Sequence, residues 1–196
     1  MPCTLVRLAG CPLRCHYCDT PGALPFNAGK EHGIDDIVSD VQQRGRPLTL
    51  VTGGEPLAQK HCPKLLHALA QAMPLVQLET SGAFDISGVD ERIRRIIDIK
   101  APGSGEEKRN RWSNLEHLHE GDEIKVVIGN REDYEWTMAM IRRHKLAAHG
   151  LPVLLSPVWG ALDIKSLAGW ILEDGAPVRL QGQLHKFIWG GEAHSV

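Results

Sequence analysis

Three cysteines near the start of the chain offer the most pointed chemistry in the sequence. They read Cys11-Pro12-Leu13-Arg14-Cys15-His16-Tyr17-Cys18, so three residues separate the first pair and two the second. Thiolates this close in sequence converge on one point, and soft sulfur ligands suit an iron–sulfur cluster, zinc or Cu(I). Zinc needs a fourth ligand, with His16 or His32 nearest. His16 lies between two of the thiols, and neighbouring residues rarely point the same way. His32 follows a Pro/Gly stretch, and no second cysteine pair completes a zinc ribbon. The spacing therefore favours a cluster. A four-iron cluster ordinarily takes four cysteines. Three leave one iron open, and an open position is the mark of catalysis rather than structure. Cys3 runs along the incoming strand. Cys62 falls in a helix, where a free cysteine behaves as a small buried apolar residue.

The elements that must hold these groups alternate. Short apolar runs predict strands at Thr4–Leu8, Leu48–Thr52, Val76–Thr80, Arg95–Lys100, Ile124–Ile128 and Val153–Ser156, with a further short run at Val178–Gln181. Helical periodicity predicts helices over Asp35–Arg44, Cys62–Met73, Asp133–Ala148 and Leu162–Leu172. Strands alternating with helices read as right-handed βαβ units. Six units do not fill an eight-unit barrel of ~250 residues. The expectation is an α/β fold, a partial, open β/α barrel of about six parallel strands in one domain spanning residues 1–196.

On that fold the cysteines follow the first strand, at the end where such sheets place their chemistry. The second strand ends in Thr52-Gly53-Gly54-Glu55-Pro56, a turn that lets backbone approach a ligand and offers Glu55 to an ammonium. The third ends in Glu79-Thr80-Ser81-Gly82 and the fourth in Asp98-Ile99-Lys100-Ala101-Pro102-Gly103-Ser104-Gly105. Any one of these is ordinary loop composition, but four in succession on one rim mark a site.

Composition sets the bounds. The chain has 196 residues, 42% hydrophobic and 23% charged, with a net charge of −2. Those are globular values, and near-neutrality argues against nucleic acid held by bulk charge. No apolar run approaches the ~20 residues that span a bilayer, and the first residues lack a signal-peptide pattern. Five cysteines, an odd number, argue against a disulfide framework. The expectation is a cytoplasmic protein with no membrane or nucleic-acid partner.

The cysteine spacing after a first strand resembles the radical S-adenosylmethionine (SAM) superfamily. Finer detail is similar to its 7-carboxy-7-deazaguanine synthase family: Val6-Arg7-Leu8-Ala9-Gly10 before the cysteines, Cys18-Asp19-Thr20, Lys100 to Gly105, Asp122-Glu123-Ile124-Lys125-Val126-Val127, and Gln183-Leu184-His185-Lys186. The resemblance runs from Thr4 to about Trp189. It implies a lyase that acts on 6-carboxy-5,6,7,8-tetrahydropterin. A 5′-deoxyadenosyl radical takes the C6 hydrogen, the ring contracts, ammonia leaves, and 7-carboxy-7-deazaguanine results, for queuosine-type 7-deazapurine biosynthesis.

The same resemblance implies a [4Fe-4S] cluster on Cys11, Cys15 and Cys18, with SAM and Mg²⁺ as further cofactors. Tyr17, Cys18, Asp19, Gly54 and Glu55 would line the SAM, with Ser81, Lys100 and Ser104 as further contacts. Thr20 would present its hydroxyl to Mg²⁺. Arg7 and Thr52 would bind substrate, joined by Gln183 and His185, which are read as alternating on a short strand that closes the pocket or caps the barrel. Lys125 either pairs with Glu79 or Glu123 or faces the site. A reductant such as flavodoxin or ferredoxin and a homodimer are further expectations. The family carries a Gln-Gly-Glu-Gly loop before the cluster, whereas this chain begins ten residues before Cys11. The expectation is that Met1 is not the natural start and that a short segment precedes it. Two alternatives stand beside this reading. One is a glycyl-radical enzyme activase, and the other a zinc-stabilised binding module.

Overall fold

In a computed structural model, residues 1–146 and 150–191 are described. Seven strands form one parallel sheet in the order of the chain: β1 (Cys3–Leu8), β2 (Leu48–Gly53), β3 (Val76–Thr80), β4 (Arg94–Ile99), β5 (Glu123–Ile128), β6 (Val153–Pro157) and β7 (Arg179–Leu180). β1 and β7 do not pair with each other, so the sheet curls without closing. The open barrel expected from the sequence is present, with the short seventh strand as its last member.

Period-2 alternation divides each strand between two environments. On the outer face, Val51, Leu78, Ile97, Ile124, Val126 and Leu155 are buried. They pack against α1 (Ile34–Arg44), α2 (Cys62–Ala72), α3 (Arg131–Arg143) and α4 (Ile164–Glu173), through Val41, Leu66, Leu69, Tyr134, Ile141 and Leu167. The inner face carries Leu5, Arg7, Leu50, Thr52, Glu79, Asp98, Lys125, Val127 and Ser156, and these line a cavity. Apolar runs that read as covered on both sides are thus covered on one side and line a polar concavity on the other.

Helix ends follow local rules. Gly45 closes α1 in the left-handed region, with φ +61°. Asn130 caps α3, its side chain accepting from the Asp133 amide. The helix expected over Asp133–Ala148 runs over Arg131–Arg143; its expected last residues, 147 and 148, lie outside the described part. The β3–β4 and β4–β5 connections contain no α-helix, only turns and short 3₁₀ segments. A fifth helix, α5 (Leu184–Trp189), follows β7. Gln183 and His185 therefore sit at the start of a helix and not on a strand. The strand ends at Leu180, and Gln183 stands at the N-cap position of the helix. No helix among the described residues is long and apolar enough to cross a membrane.

Candidate active site

The C-terminal ends of the strands surround a cavity of about 690 Å³, within the range of small-molecule sites. Its walls combine Cys11, Cys15 and Cys18 with Arg7, Tyr17, Asp19, Thr20, Thr52, Gly54, Ser81, Lys100, Gln183 and His185. The sequence-predicted residues thus converge, with two exceptions.

Glu55 and Ser104 do not line the cavity. Glu55 is fully buried. One oxygen accepts from the Leu57 amide and the Thr80 hydroxyl, at 2.9 and 2.7 Å; the other accepts from the Ser81 amide at 2.7 Å. Its carboxylate ties the end of β2 to the end of β3. The Ser104 hydroxyl, also fully buried, donates to the Ala101 carbonyl at 2.6 Å and accepts from the Glu106 amide at 3.0 Å. It shapes the loop after β4.

The cysteine loop is held by backbone. The Gly10 and Cys11 amides donate to the Ala23 and Leu24 carbonyls, the Gly54 amide to Leu8, the Glu55 amide to Gly10 and the His16 amide to Ser104. The chain passes so close that a Cβ on Gly54 would stand 2.6 Å from the Gly10 carbonyl oxygen and 2.8 Å from the Cys11 Cβ. The paired glycines are first a packing requirement of the thiol loop. From the other side, Asp133 is fully buried and accepts from the Gly103 and Gly129 amides, at 2.7 and 2.9 Å. It clamps the 102–105 loop on which His16 rests. Asp133 carried no signal in the sequence beyond its place at a helix start.

Burial pushes the Cys11 and Cys15 thiols above their ordinary 9.0, and the nearby Lys100 ammonium opposes the rise. Among the described residues no three His, Cys, Asp or Glu side chains are placed to hold a single metal ion. His16 packs against Gly103 and Gly105, its Nδ1 3.3 Å from the Gly103 carbonyl, and His32 is exposed. Neither lines the cavity. Neither histidine thus joins the thiols as the fourth ligand that a zinc site would need. Cys3 is exposed. Cys62 is buried in the core, its thiol pushed up to about 12 by burial.

Two ion pairs cross the cavity floor. Lys125 Nζ lies 2.6 Å from Glu79 Oε1, and Lys100 Nζ lies 3.0 Å from Asp98 Oδ2. Lys125 thus both pairs with Glu79 and faces the site. Asp98 and Lys125 are register partners on β4 and β5. Burial alone would lower the Lys125 ammonium, but Glu79 and Asp98 more than offset it and hold it above its ordinary value. The same pairing holds the Glu79 carboxyl below its ordinary 4.5.

At the open seam, Arg7 Nη1 reaches the Thr20 hydroxyl and the Gly53 carbonyl, both at 3.4 Å. The Thr20 hydroxyl donates to Asp19 at 3.0 Å, and Gln183 Nε2 donates to the other Asp19 oxygen at 3.0 Å. That last bond spans 164 residues and links the loop after β1 to the start of α5, across the gap between β1 and β7. Trp159, just past β6, and Lys186 of α5 complete the wall. Sequence reading passed over both as site residues, because only the approach of β6 to α5 brings them to the cavity.

The site suits a cluster and a polar organic cofactor. Three soft thiols share one wall. Asp98 Oδ1 and Gln183 Oε1, on residues lining the cavity, are buried acceptors with no partner among the described residues, an arrangement that calls for a ligand's donors.

The Radical SAM superfamily profile matches residues 5–156. Among curated proteins, a 7-carboxy-7-deazaguanine synthase from Chlorobaculum tepidum is 42% identical, over all of this chain and 89% of its own. One from Koribacter versatilis is 37% identical, over all of this chain and 92% of its own. One from Leptospira interrogans is 35% identical, over 98% of this chain and 89% of its own. Among solved structures, Streptococcus suis SuiB bound to precursor peptide SuiA superposes with a TM-score of 0.68 at 11% identity. That match covers 92% of this chain and 48% of SuiB, so this chain spans about half of SuiB's length. SuiB bound to S-adenosylmethionine gives 0.65 at 12% identity, over 92% of this chain and 50% of SuiB. At that identity the likeness is one of fold. Matched along its whole length by synthases at these identities, the chain belongs to the 7-carboxy-7-deazaguanine synthase family of the radical SAM superfamily.

Proposed function

We propose that the chain converts 6-carboxy-5,6,7,8-tetrahydropterin to 7-carboxy-7-deazaguanine and ammonia. The conversion is redox-neutral overall, since substrate less ammonia is product. One observation carries the reading: the three thiols and the Arg7–Thr20–Asp19 group open into one cavity, so a cluster-bound cofactor and a carboxylated heterocycle meet there. Cys11, Cys15 and Cys18 would hold the [4Fe-4S] cluster, which with SAM supplies one-electron cleavage and a hydrogen-abstracting radical.

The chain's own residues do the positioning. Tyr17, Cys18, Asp19, Gly54, Ser81 and Lys100 border the SAM side. Glu55 and Ser104 act one layer back by fixing the strand ends and the loop that those residues sit on. Arg7, exposed and with no carboxylate partner among the described residues, presents a planar fork to the substrate carboxylate. Thr52, Gln183 and His185 border the same side. The Thr20 hydroxyl beside Asp19 suits Mg²⁺, a hard ion that takes oxygen ligands and keeps waters. The Glu79–Lys125 and Asp98–Lys100 pairs keep the floor polar yet nearly charge-balanced. An external one-electron donor of flavodoxin or ferredoxin type, a homodimer and a cytoplasmic setting complete the proposal.

The test is anaerobic reconstitution with iron and sulfide, then incubation with carboxytetrahydropterin, SAM, Mg²⁺ and a reductant. The expected result is one ammonia and one 7-carboxy-7-deazaguanine per substrate consumed, with a smaller response to Mg²⁺ in Thr20→Ala. SAM cleavage without either product would overturn the reading.

A further inference from the structure

The cavity's cations fall into different kinds. Lys100 and Lys125 each sit on a carboxylate. Arg7 is exposed and bonds a hydroxyl and a carbonyl at the seam. Lys186 matches neither case. It is only 8% exposed, it lines the cavity, and among the described residues no carboxylate lies within ion-pair distance of it. Its neighbour is the Trp159 ring, whose centroid lies 5.7 Å from Nζ.

An ammonium inside a cavity with no anion beside it is incompletely compensated, and an aromatic face supplies only part of what an anion would. A lysine of α5 with no task would extend its head into solvent. Four apolar residues of the same helix, Leu184, Phe187, Ile188 and Trp189, are more exposed than Lys186. The helix thus turns its cation into the cavity while presenting hydrocarbon to the solvent outside.

We propose that Lys186 is a carboxylate anchor of the cavity, vacant of charge partner until a ligand binds. The inference rests on the function proposed above, which brings two carboxylates into the cavity, that of the carboxylated heterocycle and that of the methionine end of SAM. Either satisfies the chemistry, and paired probes tell them apart.

The experiment measures equilibrium binding to the cluster-loaded protein under anaerobic conditions, for wild type and Lys186→Met. One probe pair is 7-carboxy-7-deazaguanine against 7-deazaguanine; the other is S-adenosylhomocysteine against methylthioadenosine. Within each pair only the first carries a carboxylate. The expected result is a loss of roughly ten- to hundredfold for one carboxylated probe, the scale of a charge-assisted hydrogen bond, with its counterpart unchanged. Loss confined to the deazaguanine pair assigns Lys186 to the substrate carboxylate. Loss confined to the adenosyl pair assigns it to the methionine end. Unchanged affinity for all four probes overturns the proposal, and so does equal weakening of probes with and without the carboxylate.

Unliganded Lys186→Met is expected to melt at or above the wild-type temperature, since no ion pair among the described residues is lost. A lower melting temperature would mean that the ammonium has a partner in the free protein, and would also overturn the proposal. Failure of the functional reading shows separately, as wild-type protein that releases no ammonia.

Discussion

Ion pairs of two kinds stand around β4 and β5, one kind toward each end of the sheet. At the N-terminal end, Arg95 and Asp122 are 3% and 0% exposed. Asp122 accepts from the Arg95 amide and guanidinium and from the His119 amide. Toward the C-terminal end, Lys125 with Glu79 and Lys100 with Asp98 are paired just as closely, but their side chains are 13–26% exposed to the cavity. Asp98 there keeps an oxygen with no partner. Identical chemistry serves opposite ends. The sealed pair has both Asp122 oxygens used by the fold and is closed off from any ligand. The open pairs face the cavity with an Asp98 acceptor left over, and that access marks the working end.

The comparison is sharpest where the working end is destroyed outright. Cys11→Ala, Cys15→Ala or Cys18→Ala is expected to abolish iron binding and turnover, read by iron analysis and product formation. Cys62→Ala keeps its iron. Equal iron loss from the Cys62 variant would place a ligand in the core and break the division between the two ends.

Asp122→Asn should act on the other end. It leaves a buried guanidinium uncompensated, and the expected loss is about 3–5 kcal/mol of stability in denaturant unfolding. Iron content per folded molecule should stay unchanged.

Glu79→Gln should show the converse pattern. Stability falls by about 1 kcal/mol or less, because the Lys125 ammonium still reaches the cavity's solvent. Turnover falls at least tenfold. The Glu79 carboxyl is held below its ordinary value by Lys125. Its contribution is therefore present above pH 4.5 and lost as pH falls through the lower folded value. Wild-type and Glu79→Gln stability curves should converge only below pH 4.5. Convergence nearer neutrality would mean that the pair is not formed.

The smallest effect is expected at the seam. Gln183→Ala removes one exposed bond to Asp19, costing about 0.5–1 kcal/mol. KM for the pterin should rise while kcat changes less. A change in kcat alone would remove Gln183 from the cavity wall's binding role.

Most of this frame could be read from the chain. Val76–Thr80 is β3 to the residue, and the other strands shift by one or two positions. The thiol loop, the glycine pair and the Lys100 loop were legible because each is local, a motif directly after a strand. What escaped is what period 2 leaves open. Spacing placed Glu55 and Ser104 at the correct rim, but their side chains turn into the protein to satisfy amides of neighbouring loops. Asp133, Trp159 and Lys186 owe their positions to contacts between distant segments. Gln183 and His185 read as a strand because a six-residue helix is too short to show its period.

The bond across the seam also joins parts of the site that lie far apart in the chain. The thiols lie within the first eighteen residues, and the wall facing them is made by the last few described ones. Without Gln183 on Asp19, nothing but packing among the described residues would hold α5 against the cysteine loop across the gap between β1 and β7. One exposed side-chain bond between distant segments therefore latches the wall that faces the thiols.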